Sequence, residues 1–228
     1  MEEQNVVIEI TDTEIRMVIG YTKGNRPHIS YMVTRPINGL ISHGEINDFQ
    51  TLSSIVSSLK DIREGDFRVR DVINDVTVIL PALGLNIFEA EKTTNVVSND
   101  SVIENIDIQN VLELVRKEPV ISGSEVIDIV PDQFIMDGGR ISSIPPVGQK
   151  SNQLTVKAKV HTLPTRVVSE YKRVIENAHI SVKKFCISSY ATCELAKYTE
   201  GIPENYILVD MGAQVGEISL IGNHSPYG

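Results

Sequence analysis

Apolar and polar positions in the first forty residues follow a strand pattern. Val6 to Ile10 is a short apolar run interrupted by Glu9. Ile15 to Tyr21 is a second, centred on Met17, Val18 and Ile19. The turn composition Thr11-Asp12-Thr13 separates them, so the two runs are predicted to form a β-hairpin. Gly24-Asn25-Arg26-Pro27 breaks the chain before a third strand around His28 to Thr34. Asp48 is placed as a helix N-cap, and Phe49, Leu52, Ile55, Val56, Leu59 and Ile62 then share a helical face, with Gly65 as the stop. Val72 to Leu80 returns to strand character.

From about Leu85 the texture changes. Asn86 to Val97 reads as a strand, and Asp107 as the cap of a short helix with Ile108, Val111, Leu112 and Val115 on one stripe. Ser124 to Met136 and Leu154 to Thr162 read as strands, with Pro131 pushing the first toward a sheet edge or a bulge. This order makes a small α+β unit. After Thr162 comes the strongest helix pattern in the chain, opened by Pro164 and striped by Val167, Val168, Tyr171, Val174, Ile175 and Ala178. A strand at Ser181 to Ile187, a helix at Ser189 to Lys197, and strands at Tyr206 to Asp210 and Glu217 to Ile221 complete the pattern. Alternating strands and helices predict a mixed α/β sheet, with the α+β unit inserted between its two halves.

Composition narrows the function. The 228 residues carry 21 basic and 30 acidic side chains, a net charge of −9, which disfavours a general nucleic-acid surface. Aromatic residues are 5% and tryptophan is absent, so base-stacking platforms are poorly supplied. No apolar run approaches the roughly 18 residues of a membrane span, and Glu2 and Glu3 argue against a secretory leader. Cys186 and Cys193 read as reduced, buried thiols of a cytosolic protein. The five histidines are scattered, without metal-ligand spacing.

Two turns carry candidate chemistry: Glu9-Ile10-Thr11-Asp12-Thr13 and Asp210-Met211-Gly212-Ala213-Gln214-Val215-Gly216. Each follows an apolar strand ending in an acid. Such a turn can aim backbone amides at a phosphate, and a strand-end carboxylate can hold a water of Mg²⁺. Either turn alone is also compatible with an ordinary hairpin.

Taken together, the two turns resemble the two phosphate loops of the actin, sugar-kinase and heat-shock chaperone superfamily. Within it, the chain resembles the N-terminal half of the FtsA family of bacterial cell-division proteins. The resemblance rests on Val6 to Gly20, on Pro36 to Ile46 with Gly39, Gly44 and Glu45, and on Ile103 to Asp107 followed by Val111-Leu112. It extends to Pro145-Pro146-Val147-Gly148, Leu154 to Val160, Tyr171 to Ala178 with Ile180, and Ala191 to Glu194 leading to Asp210.

The resemblance implies an α/β, actin-like (ribonuclease-H-like) mixed-sheet domain with an inserted small strand-helix-strand-strand (SHS2-like) domain. The implied boundaries are 1–84 with 163–205 for the first subdomain, 85–162 for the insertion, and 206–228 for the truncated start of a second actin-like domain, the chain being a fragment or the product of a shortened gene. It implies ATP and Mg²⁺ as ligands. Glu9, Thr11, Asp12, Thr13, Asp210, Gly212, Ala213 and Gln214 would be the cofactor residues, with Glu9 and Asp210 also the metal residues, and no catalytic residue is assigned.

Departures from the family pattern weaken that site. Glu9, Thr11 and Glu14 stand where the family has aspartate, glycine and lysine, and Ala213 to Gly216 replace its glycines and threonines. Thr11 adds a Cβ where phosphate approaches bare backbone. Glu14 brings like charge, worth about 4 kcal/mol at 4 Å near a protein surface. Weak nucleotide binding and little hydrolysis are therefore expected.

The implied role is a scaffold at the inner face of the cell membrane at the division site. It would link FtsZ and other division proteins, self-associate through the insertion, bind no nucleic acid, and reach the membrane only through a segment absent from this chain. Two alternatives stay open: an active ATPase using Glu9, Asp12 and Asp210, and a type IV pilus assembly protein of the same superfamily.

Overall fold

The computed structural model describes residues 4–24 and 26–227. Glu2, Glu3 and Asn25, which the sequence reading uses, lie outside the described residues, as do Met1 and Gly228. Along the chain come β1 (Asn5–Ile10), β2 (Glu14–Lys23), β3 (Arg26–Pro36), β4 (Ile41–Ser42), β5 (Glu45–Ile46), α1 (Phe49–Ser58), β6 (Arg63–Glu64), β7 (Phe67–Arg68) and β8 (Asp75–Leu80). Then follow β9 (Asn86–Asn95), α2 (Asn105–Arg116), β10 (Ser124–Met136), β11 (Arg140–Ser142) and β12 (Gln153–Pro164). The last elements are α3 (Thr165–Asn177), β13 (Ser181–Ile187), α4 (Ser188–Ala196), β14 (Tyr206–Met211), β15 (Gly216–Gly222) and β16 (Ser225–Pro226). Packing divides the chain into two compact units, one of residues 1–84 with 164–226 and one of residues 85–163.

The first unit is built on a five-stranded sheet of order β13-β8-β1-β2-β3. β1 runs antiparallel to β2 and parallel to β8, which makes the sheet mixed. Alternation buries Val6, Ile8 and Ile10 on β1, Ile15, Met17 and Ile19 on β2, and Val76, Val78 and Leu80 on β8. α3 supplies its predicted stripe of Val167, Val168, Tyr171, Val174 and Ile175 and packs against α1. A separate three-stranded sheet, β14-β15-β16, carries the second acid-tipped turn.

Two boundaries shift. Asp48 caps α1 as expected, accepting from Thr51 N, but the helix ends at Ser58 and tightens into a 3₁₀ turn to Asp61, well before Gly65. Ile62 is extended, and Gly65 instead makes the positive-φ turn between β6 and β7. The strand predicted from Val72 begins at Asp75, because residues 69–71 form a 3₁₀ turn.

The second unit is a four-stranded sheet of order β11-β10-β12-β9 with α2 against one face. Leu154, Val156, Ala158 and Val160 of β12 point into the core it shares with Ile108, Val111 and Val115 of α2. β11 covers only Phe134 to Met136 of β10, so the side of β10 that would face β11 is open at Pro131.

Asp107 is not the N-cap of α2. Glu104 is, and Asp107 sits three residues later in a reciprocal capping box. Its fully buried carboxylate accepts from Glu104 N at 2.8 Å and from Val97 N at 2.9 Å. Asp107→Ala leaves both amides without that acceptor and is expected to cost about 2 kcal/mol. Urea unfolding with circular dichroism measures this, and Asp107→Asn, which keeps one acceptor, should cost less.

Candidate functional site

The β1–β2 hairpin pairs Ile10 with Ile15 and Glu9 with Arg16, leaving Thr11, Asp12, Thr13 and Glu14 as its tip. This tip is closed on itself. Thr11 N donates to Glu14 O at 2.9 Å. The Thr11 hydroxyl donates to the same carbonyl at 3.1 Å and accepts from Glu14 N at 3.1 Å and Thr13 N at 3.4 Å. The amides that would face a phosphate thus face the Thr11 side chain.

Arg16 stands between the two neighbouring acids, 2.9 Å from Glu9 Oε2 and donating from Nε to Glu14 Oε1 at 2.5 Å. Partial burial pulls its pKa down, but the hydrogen bond to Glu14 and the charges of Glu9 and Glu14 outweigh this and raise it. Glu14 is therefore not the bare negative charge its sequence position suggests, because its charge is met by Arg16.

The second tip follows β14. Asp210 pairs with Glu217 and Met211 with Gly216 across the hairpin. Gly212 N donates to Val215 O at 3.1 Å. A Cβ at Gly212 would lie 2.5 Å from that carbonyl, so the tight turn requires glycine there. Asp210, Gly212 and Ala213 are exposed. Glu217 anchors the hairpin base by accepting from Ser188 Oγ, at the start of α4, at 3.0 Å and from Ser219 Oγ at 2.8 Å.

Both tips line one cleft of about 500 Å³. Glu9, Thr11, Asp12, Thr13, Asp210, Gly212 and Ala213 all contribute to its wall, whereas Gln214 does not. The Gln214 amide oxygen instead accepts from His43 N at 3.0 Å, and Asp12 Oδ1 accepts from Gly44 N at 3.0 Å. Tyr171 sits under this turn, its hydroxyl donating to Gly44 O at 3.0 Å. Burial, with the charges of Asp12 and Glu170, pushes its phenol well above the ordinary value, so it stays a donor. Pro81 to Gly84, at the end of β8, complete the lining beside Arg16, Gly44 and Tyr171.

A magnesium nucleotide fits this arrangement poorly at the first tip. The amide donors of Thr11 and Glu14 are spent internally, Glu9 is paired with Arg16, and Asp12 holds Gly44. The second tip offers the exposed carboxylate of Asp210 beside a glycine turn. Among the described residues no group of three or more His, Cys, Asp and Glu side chains comes together as a metal cluster. Sequence reasoning missed Arg16, because a three-residue turn at 11–13 would set position 9 opposite 15, and only the four-residue turn 11–14 brings Arg16 opposite Glu9. It also missed the role of the His43-Gly44 turn, which no local pattern announces.

Residues 85–162 match the family described as "SHS2 domain inserted in FTSA". The chain is 24% identical over 184 residues to the cell division protein FtsA of Streptococcus pneumoniae serotype 2 (strain D39 / NCTC 7466), covering 80% of this chain and 39% of that protein. It is 22% identical over 222 residues to FtsA of Bacillus subtilis (strain 168), covering 97% of this chain and 49% of that protein. The chain thus spans less than half the length of these relatives. A chain of the PilM–PilN type IV pilus biogenesis complex superposes with a TM-score of 0.59 at 17% identity, covering 99% of this chain and 60% of that one, a likeness of fold. The fold is accordingly actin-like and mixed α/β, with an SHS2 domain inserted.

Proposed function

We propose that this chain, which resembles FtsA along most of its length, is a cell-division scaffold and not a nucleotide-driven motor. The observation that carries this reading is the first tip. There the Thr11 hydroxyl and Arg16 occupy the donors and charges that a phosphate and its metal would need. The SHS2 unit, with its own packed core, is the interaction module. In this reading the protein works at the inner face of the membrane at the division site. Its partners are FtsZ, other division proteins, and a second copy met through the insertion. ATP with Mg²⁺ binds weakly if it enters the cleft, and turnover is negligible.

Titration of a fluorescent ATP analogue with Mg²⁺ is expected to show no saturation below about 1 mM, equivalent to a binding free energy of roughly −4 kcal/mol or weaker. Micromolar binding abolished by Asp210→Ala would instead support the ATPase. Capture of FtsZ by the full gene product is expected, and deletion of residues 85–162 is expected to remove self-association. Failure of FtsZ capture together with saturable nucleotide binding would sink the scaffold reading.

A further inference from the structure

The turn between β4 and β5 reaches both acid-tipped hairpins. His43 N donates to the Gln214 side chain of the second tip, and Gly44 N donates to the Asp12 side chain of the first, each at 3.0 Å. Gly44 O accepts from the Tyr171 hydroxyl of α3 at 3.0 Å. Three elements distant in sequence therefore converge on two consecutive residues.

The turn is held in a demanding conformation. Both residues are left-handed, His43 with φ 50° and Gly44 with φ 75°, the geometry of a tight two-residue hairpin. Left-handed φ is uncommon for a non-glycine residue. A Cβ at Gly44 would come within 2.3 Å of Leu83 Cδ1, so a side chain there would have to displace the Leu83 side chain, in the segment that follows β8. In such a site the backbone is over-determined by its surroundings.

We propose that the His43-Gly44 turn is an internal brace that joins the two tips in place of a ligand. Asp12 and Gln214, the polar side chains that would otherwise face a phosphate and its metal, are committed to protein amides. The opening of the cleft is then fixed by these hydrogen bonds and does not respond to nucleotide. That independence rests on the scaffold reading above; the tie itself does not.

Hydrogen exchange of the full chain, followed amide by amide with and without Mg-ATP, tests both parts. In the wild type the His43 amide is expected to be protected although His43 is an exposed residue. Gln214→Ala should speed its exchange roughly three- to tenfold, the effect of one net hydrogen bond, and should also speed exchange of the β14–β15 amides. Gln214→Glu, which keeps an acceptor, should stay within about twofold of wild type. An unprotected His43 amide in the wild type overturns the tie even if Gln214→Ala fails to fold. An unchanged rate in a folded Gln214→Ala overturns it as well. Saturable Mg-ATP binding that leaves these rates untouched counts against the scaffold reading and keeps the brace. Binding that slows them overturns the claim of independence.

Discussion

Phe134→Ala is expected to destabilise the 85–163 unit by about 3–5 kcal/mol. Phe134 is 1% exposed and sits on β10 among Val111 and Val115 of α2 and Leu154 and Val156 of β12. Truncation removes the largest side chain of that cluster, and the neighbouring strands, fixed by their ladders, cannot collapse into the space. A unit of about 80 residues has roughly 4–12 kcal/mol of stability in total, so the loss is a large fraction of it. The chain has no tryptophan, so the readout should be native-state hydrogen exchange of the β12 amides from Leu154 to Val160. Ile141→Ala, at a residue 61% exposed, serves as the control and should change stability by no more than about 0.5 kcal/mol. A cost for Phe134→Ala below about 1 kcal/mol would mean that the cluster is not packed as described.

The fold was legible in the sequence where burial has a period. α3 shows its stripe because one face is buried and the other is wet, and β1, β2 and β8 show alternation for the same reason. Boundaries were less legible, since they depend on which of several capping groups wins. At α2 both Glu104 and Asp107 can cap, and burial of Asp107, where Val97 N also needs an acceptor, settles which position each takes. At α1, Gly65 looked like the stop, but the chain leaves the helix earlier, and Val69 N then bonds Ile62 O. The apolar run Ile207-Leu208-Val209 was read correctly as a strand, yet Ile207 and Val209 are 63% and 55% exposed. An apolar run reports strand preference and does not by itself report cover.

The candidate site was half legible. The sequence brought Glu9, Thr11, Asp12, Thr13, Asp210, Gly212 and Ala213 forward as one constellation, and all seven line the same cleft. The partners of their side chains were not legible. Arg16 changes the meaning of both Glu9 and Glu14, and the His43-Gly44 amides do the same for Asp12 and Gln214. These are contacts between a side chain and a distant backbone or a facing strand. They follow from register and tertiary placement, and residue type along the chain does not encode them. A loop that departs from a phosphate-binding pattern can be recognised as weakened from its residues, but what it does instead requires the third dimension.

Acid lability is the second large effect expected. His161 is fully buried on β12, opposite Ile87, and has the parity that faces away from the α2 core. Burial, aided by the positive charge of Lys159, lowers its pKa from 6.5 to about 4. The folded chain therefore holds a neutral imidazole where the unfolded chain holds a protonated one. Above pH 6.5 both states are neutral and the group contributes nothing to the pH dependence. As pH falls from 6.5 toward 4, the unfolded state binds the proton and the folded state does not, so stability drops by up to about 1.4 kcal/mol per pH unit. The total approaches roughly 3 kcal/mol near pH 4. The lowered carboxylates run in another window. Asp100 and Asp137, held down chiefly by the Ser98 side chain and the Asn152 backbone respectively, stabilise the fold above the unfolded value of 3.8 and lose that contribution only as pH falls through their lower folded values. Urea midpoints of wild type and His161→Gln, measured between pH 7 and pH 4, separate the two. The wild type should weaken steadily across the interval, and the variant, whatever its stability at pH 7, should run nearly flat until the carboxylates protonate. Parallel curves would show that the imidazole is protonated in the folded chain and that its burial does not govern the acid response.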